Sequence, residues 1–103
     1  LAFFLTAANA QTKDTLSKKP DPTKELMTVQ TACGQCKFGL KGEGCTLAVR
    51  IKGKAYFVEG TDIDDHGDAH AKDGFCNSIR KAQVQGEIVN DQFKVTYFKL
   101  VKR

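Results

Sequence analysis

The sequence predicts a mostly β domain, a small five-stranded OB-like barrel with one short helix, in the order β-β-β-α-β-β. Three observations carry that prediction. Apolar residues alternate with period two along five stretches, the pattern of half-buried strands. Turn residues punctuate those stretches at Lys52-Gly53-Lys54 and Asn90-Asp91. One amphipathic run, Asp73 to Lys81, falls between the third and fourth stretches.

The chain has 103 residues, enough for one domain and not for two. No apolar run approaches the roughly 20 residues of a membrane-spanning helix. Leu1 to Ala10 (LAFFLTAANA) is uncharged and apolar and ends in small residues. Ala8-Asn9-Ala10 has the small-x-small form of a signal-peptidase site, so residues 1–10 read as the C-terminal part of a signal peptide. A short buried strand is the competing reading. Export places the mature protein in the periplasm or outside the cell, and no Cys follows the site to take a lipid anchor. Residues 11–26 hold both prolines, alternating charges and almost nothing to bury, the composition of a disordered tether. The folding unit is then residues 27–103.

Within it, Met27 to Ala32 is the first strand, and Leu47, Val49 and Ile51 share one face of the second. A tight turn leads into Ala55 to Glu59. Ala82, Val84, Gly86 and Ile88 mark the fourth strand, and Phe93, Val95, Tyr97 and Lys99 the fifth. Asn90-Asp91 tolerates the left-handed conformation that two-residue hairpins demand. Asp73 can cap a helix whose one face carries Phe75, Cys76 and Ile79, with Arg80 and Lys81 suited to its C-terminal dipole. This connectivity is that of the OB-fold. An SH3-like barrel or an open α+β sheet are the alternatives.

The topology makes a spatial prediction. The loops leaving the first and third strands lie at one end, so Cys33, Cys36 and Cys45 should converge there with His66, His70 and Cys76. Cys33-Gly-Gln-Cys36 has the knuckle spacing that lets both sulfurs reach one tetrahedral ion. Cys45 and Cys76 could complete a four-thiolate site for zinc or copper, or a His could replace one thiolate. Against this stands the compartment: small secreted domains with an even cysteine count are commonly disulfide-stapled. Four cysteines allow three pairings, and the disulfide reading is strongest for Cys45 and Cys76. Redox exchange at Cys33 and Cys36 is a third reading. It lacks support because the residues after Cys36 read as loop, without the helix that activates such thiols.

Glu59 to Asp73 carries six carboxylates and one lysine, a local charge of −5, whereas the rest of the folding unit sums to +8. Asp62, Asp64, His66, Gly67 and Asp73 fall on calcium-loop positions. His stands where Asp or Asn belongs and Asp where Glu belongs, so a true calcium hand is not supported. His66 and His70, four apart, would share a helical face as paired imidazole ligands do. No Glu stands between them in the metalloprotease arrangement and no Ser-His-Asp grouping is recognisable, so no enzyme is indicated. Phe38, Tyr56, Phe57 and Tyr97 could stack bases, but core demands, export and the acidic loop argue against nucleic acid.

The string Ala32-Cys-Gly-Gln-Cys-Lys-Phe-Gly39, with Gly44-Cys45, Leu47 to Ile51, Gly53 to Tyr56, Asp65-His-Gly67 and Gly74-Phe-Cys76, resembles a family of small exported bacterial proteins of unknown function. The resemblance covers residues 27–101. It implies export, an OB-like barrel, and a motif made of Cys33, Cys36, Cys45, Cys76 and one His. It brings no activity, substrate or cofactor. Two functions follow from the residues: an exported binding module whose Cys/His cluster holds zinc or copper, or a disulfide-stapled barrel that binds a protein or glycan through its loops.

Overall fold

The computed structural model describes residues 16–102. Five strands form a barrel: β1 (Met27–Cys33), β2 (Leu47–Ile51), β3 (Lys54–Glu59), β4 (Arg80–Val89) and β5 (Gln92–Leu100). Their order around the barrel is β1-β2-β3-β5-β4, and β4 returns to β1 to close it. Every pairing is antiparallel except that of β3 with β5. This is the OB-like connectivity that the alternating pattern predicts.

Local chemistry explains the ladders. Lys52 (φ 52°) and Gly53 (φ 85°) both take the left-handed conformation in the β2–β3 turn, as do Asn90 (φ 53°) and Asp91 (φ 66°) between β4 and β5. Two-residue turns of this hand match the strand twist, which sets both hairpin registers. The inward faces deliver Val29, Leu47, Val49, Val58, Val84 and Phe93 to one core, joined by Phe75 from the β3–β4 connection. Burying one such side chain stabilises the fold by about 1.5–3 kcal/mol.

The short helix stands elsewhere than the amphipathic pattern suggests. It is α1 (Gly34–Lys37), a single turn directly after β1, while residues 72–77 form consecutive turns that run into β4. Two facts override the local pattern. Gly74 packs so closely on the carbonyls of Asp68 and Ala69 that a Cβ there would overlap them. The backbone of residues 75 and 76 also bonds to distant partners: the Phe75 carbonyl accepts from Cys33 N–H (3.0 Å), and Cys76 N–H donates to Ala69 O (2.9 Å).

The expected tether is held along the part the structure describes. Leu16 packs against the core, and Ser17 N–H donates to Thr96 O (2.7 Å). Gln85, 1% exposed beside a bulge in β4, accepts from Asp21 N–H (2.7 Å) and donates to Asp21 O (2.8 Å) and Lys24 O (3.1 Å). A buried amide needs partners for all its polar atoms, and here the backbone of the N-terminal strap supplies them. Composition hides such a clamp, because it uses main-chain groups that every residue carries. Residues 1–10, read as a signal peptide, and residues 11–15 lie outside the described residues.

Removing the clamp should free the strap. At about 1 kcal/mol for each of its three hydrogen bonds, Gln85→Ala should raise the detached population by about two orders of magnitude. Trypsin cleavage after Lys24 should accelerate accordingly; an unchanged cleavage rate would mean that the strap is held by other contacts.

Candidate metal centre

The four cysteines reach one end of the barrel by three routes. Cys33 is the last residue of β1, fully buried and paired in register with Leu47. Its extended backbone (φ −65°, ψ 122°) makes it the N-cap of α1, and its Sγ accepts from Cys36 N–H (3.4 Å). The turn of α1 then presents Cys36 to solvent. Gly34 allows this, since a Cβ there would stand 2.8 Å from Phe57 Cε1.

Cys45 is delivered by a residue that the sequence reading passed over. Gln35 accepts from Thr46 N–H (2.9 Å) through Oε1 and donates through Nε2 to Thr46 Oγ1 (3.1 Å) and Glu43 O (3.4 Å). Gly34 N–H also donates to Thr46 O (2.8 Å). The middle of the Cys-x-x-Cys element therefore grips the strand entry that carries Cys45. An amide between two candidate ligands was the available signal.

Cys76 arrives from the β3–β4 connection. Phe75 is buried in the core, and Asn77 Nδ2 donates to the carbonyls of His70 (3.0 Å) and Ala71 (2.8 Å). Arg80 donates to Asp73 O (3.0 Å), closing the turn. These bonds fix a segment that has no regular helix or strand to hold it.

The result is one compact group. The Sγ atoms of Cys33, Cys36, Cys45 and Cys76 all lie within 4.8 Å of one another, and all four thiols are free. Cys36 and Cys45 are 3.7 Å apart, Cys45 and Cys76 3.0 Å. Thiols so close shift one another. Burial acts to raise the Cys33 thiol, but the hydrogen bonds from Cys36, Cys45 and Gln35 outweigh it and hold its pKa below the usual thiol value. Hydrogen bonding to Cys33, then to Cys45, pushes Cys36 up to about 11. Bonding to Cys76, then to Cys33, pushes Cys45 up to about 12. For Cys76 the bond with Cys45 acts downward, yet burial and the sulfurs of Cys33 and Cys36 leave it raised. Such a cluster concentrates negative charge when ionised, and its four sulfurs are close enough to share a metal ion that would relieve it.

Residues 27–101 match the model of a family described as a family of unknown function (DUF6370). The chain belongs to that family. Neither the curated proteins nor the solved structures contain a match to it. The family carries no assigned activity.

Among the described residues, the group of His, Cys, Asp and Glu side chains close enough to share an ion consists of these four thiols; His66 and His70 do not belong to it. The His66 ring packs against Phe98 (4.4 Å between centroids) and edge-on to Phe75 (6.3 Å), and Nε2 shares a hydrogen bond with Thr61 Oγ1 (2.9 Å). Burial lowers its pKa against a smaller opposing pull from Asp65, which favours a neutral ring. His70 is exposed on the following turn, where its N–H donates to Asp68 Oδ1 (2.9 Å). The two imidazoles share no helical face, because the 3₁₀ turn Ile63–His66 ends at Gly67 (φ 106°). Asp62, Asp64 and Asp73 of the calcium-loop frame likewise lie outside that group, and Asp65 Oδ2 accepts from Asp62 N–H (2.8 Å) and Thr61 Oγ1 (3.1 Å), capping its own turn. An open cleft of about 430 Å³ runs beside Cys45, walled by Thr46, Thr61, Asp62, Asp64 and Asp65.

Gln35 gives the site a test that leaves every sulfur in place. Gln35→Ala removes three bonds to the Cys45 loop and should weaken metal binding about 10–100-fold, the usual cost of losing an orienting partner. Competition against a chromophoric chelator measures it, and unchanged affinity would show that Cys45 is positioned without Gln35.

Proposed function

We propose that the protein is an exported, non-catalytic binding module that holds one transition-metal ion, zinc in preference to copper, through Cys33, Cys36, Cys45 and Cys76. The observation that carries this reading is the single group of four free thiols within 4.8 Å. Tetrahedral zinc with Zn–S bonds of about 2.3 Å has sulfur–sulfur edges of about 3.8 Å. The Cys36–Cys45 separation of 3.7 Å matches that edge. Four sulfurs around one point suit a mononuclear tetrahedral ion, the arrangement typical of zinc.

The non-catalytic part of the proposal follows from ligand count. Catalytic zinc keeps one position open for water or substrate, whereas four protein thiolates fill the coordination shell. The exported location draws on the signal-like Leu1 to Ala10 segment. In a domain this small the ion would also brace the loops, since a core of such size supplies only about 3–5 kcal/mol.

A native mass spectrum of protein purified without chelator should carry one zinc that leaves on acidification; a mass four hydrogens below the reduced chain, with no adduct, would overturn the proposal. The proton balance gives a second check. Cys36, Cys45 and Cys76 have raised pKa values and are protonated at neutral pH, whereas metal binds the thiolate. Binding should therefore release at least three protons, and affinity should fall roughly a thousandfold for each pH unit of acidification. Calorimetry in buffers of different ionisation enthalpy counts those protons.

A further inference from the structure

We infer that the four-thiol centre is also a redox switch: peroxide joins Cys45 to Cys76 and expels the ion, while Cys33 and Cys36 remain on their turn as thiols. The inference rests on the metal-binding reading above and names the regulation of that site.

Cys45 Sγ and Cys76 Sγ stand 3.0 Å apart, closer than the 3.7 Å between Cys36 and Cys45. A disulfide bond is about 2.0 Å long, so closure needs about 1 Å from this separation and about 2 Å from the edge of a zinc tetrahedron. Both residues sit on connecting segments outside the strands, where such a shift disturbs no ladder. Both are half-buried, so a small oxidant can reach them. Cys33 differs in placement and access. It is 0% exposed, it belongs to β1, and its sulfur accepts the Cys36 N–H.

The chemistry balances with hydrogen peroxide as oxidant. One thiolate of the pair attacks a peroxide oxygen, the O–O bond breaks, and a sulfenic acid forms while the departing hydroxide takes a proton to become water. The second thiolate attacks that sulfenyl sulfur, the S–S bond forms, and the second hydroxide leaves and is protonated. Two electrons pass from the sulfurs to the peroxide: two thiolates, one peroxide and two protons give one disulfide and two waters. The ion has then lost two of its four ligands and dissociates. A thiol reductant reverses the step by exchange and restores the site.

The test is a titration of zinc-loaded protein with hydrogen peroxide. Ion release is followed with a chromogenic chelator, and disulfides are located by peptide mapping without reduction. One zinc released per peroxide consumed, a map dominated by Cys45–Cys76, and zinc binding restored by dithiothreitol would bear the inference out. A Cys33–Cys36 bond, or zinc retained while peroxide is consumed, would overturn it. A C33S/C36S double variant separates the two readings, because it can form the Cys45–Cys76 bond without holding metal. Wild-type protein that takes up no zinc overturns the metal reading, and with it the expulsion step; the unreduced peptide map of the oxidised wild type then decides the pairing alone.

Discussion

The hydrogen bond from the Cys33 N–H to the Phe75 carbonyl, 3.0 Å long, is the join on which the site depends. It links the end of β1 to a connection that starts more than twenty residues later in the chain. On one side it fixes the first ligand and the start of α1. On the other it fixes the residue before Cys76, whose phenyl ring is already buried in the core. A backbone bond can hold this position because β1 pairs with both β2 and β4, leaving Cys33 little freedom. The sulfurs meet because two segments of irregular chain are anchored at that one point.

The barrel and the centre therefore draw on different forces. Strand pairing and apolar burial hold β1 to β5, and the long β4–β5 hairpin needs nothing from the thiols. The segments carrying Cys45 and Cys76 have few regular ladders and are held by side-chain amides instead, Gln35 for one and Asn77 for the other. Elements held by a few polar bonds open locally at lower cost than the strands they join. Metal ligands placed there would let an ion be gained or lost while the scaffold stays folded.

The strands were legible in the sequence because their signal is local: Leu47, Val49 and Ile51 alternate, and Lys52-Gly53 and Asn90-Asp91 form the turns that their residue types favour. The convergence of the cysteines followed from connectivity alone. What stayed hidden is decided by long-range bonding. The run from Asp73 to Lys81 has a helical apolar face, yet Gly74 and the carbonyl of Phe75 are committed to tertiary contacts that a helix would break. His66 and His70 have ligand spacing, but spacing could not show that Phe98 and Thr61 take up one ring. The strap before β1 looked solvated because Gln85 holds it by main-chain atoms.

Charge adds a last constraint. The segment from Glu59 to Asp73 carries −5 beside the thiols, while the remainder of the folding unit carries +8. Four thiolates around a divalent ion leave roughly −2 on the centre, so this end of the barrel is negative with or without an ion. That field acts on an approaching cation. It draws cations toward Cys45 and speeds their capture, an effect that salt screens over about 8–10 Å. The thiolates that must form when the ion binds are disfavoured by the neighbouring sulfurs and by burial, which leave Cys36, Cys45 and Cys76 raised. In the proposed centre, capture would be hastened by the acidic segment while protons compete for the thiols, so the ion would be taken up readily and lost on acidification. Such a balance suits an ion exchanged with pH over one locked in at folding.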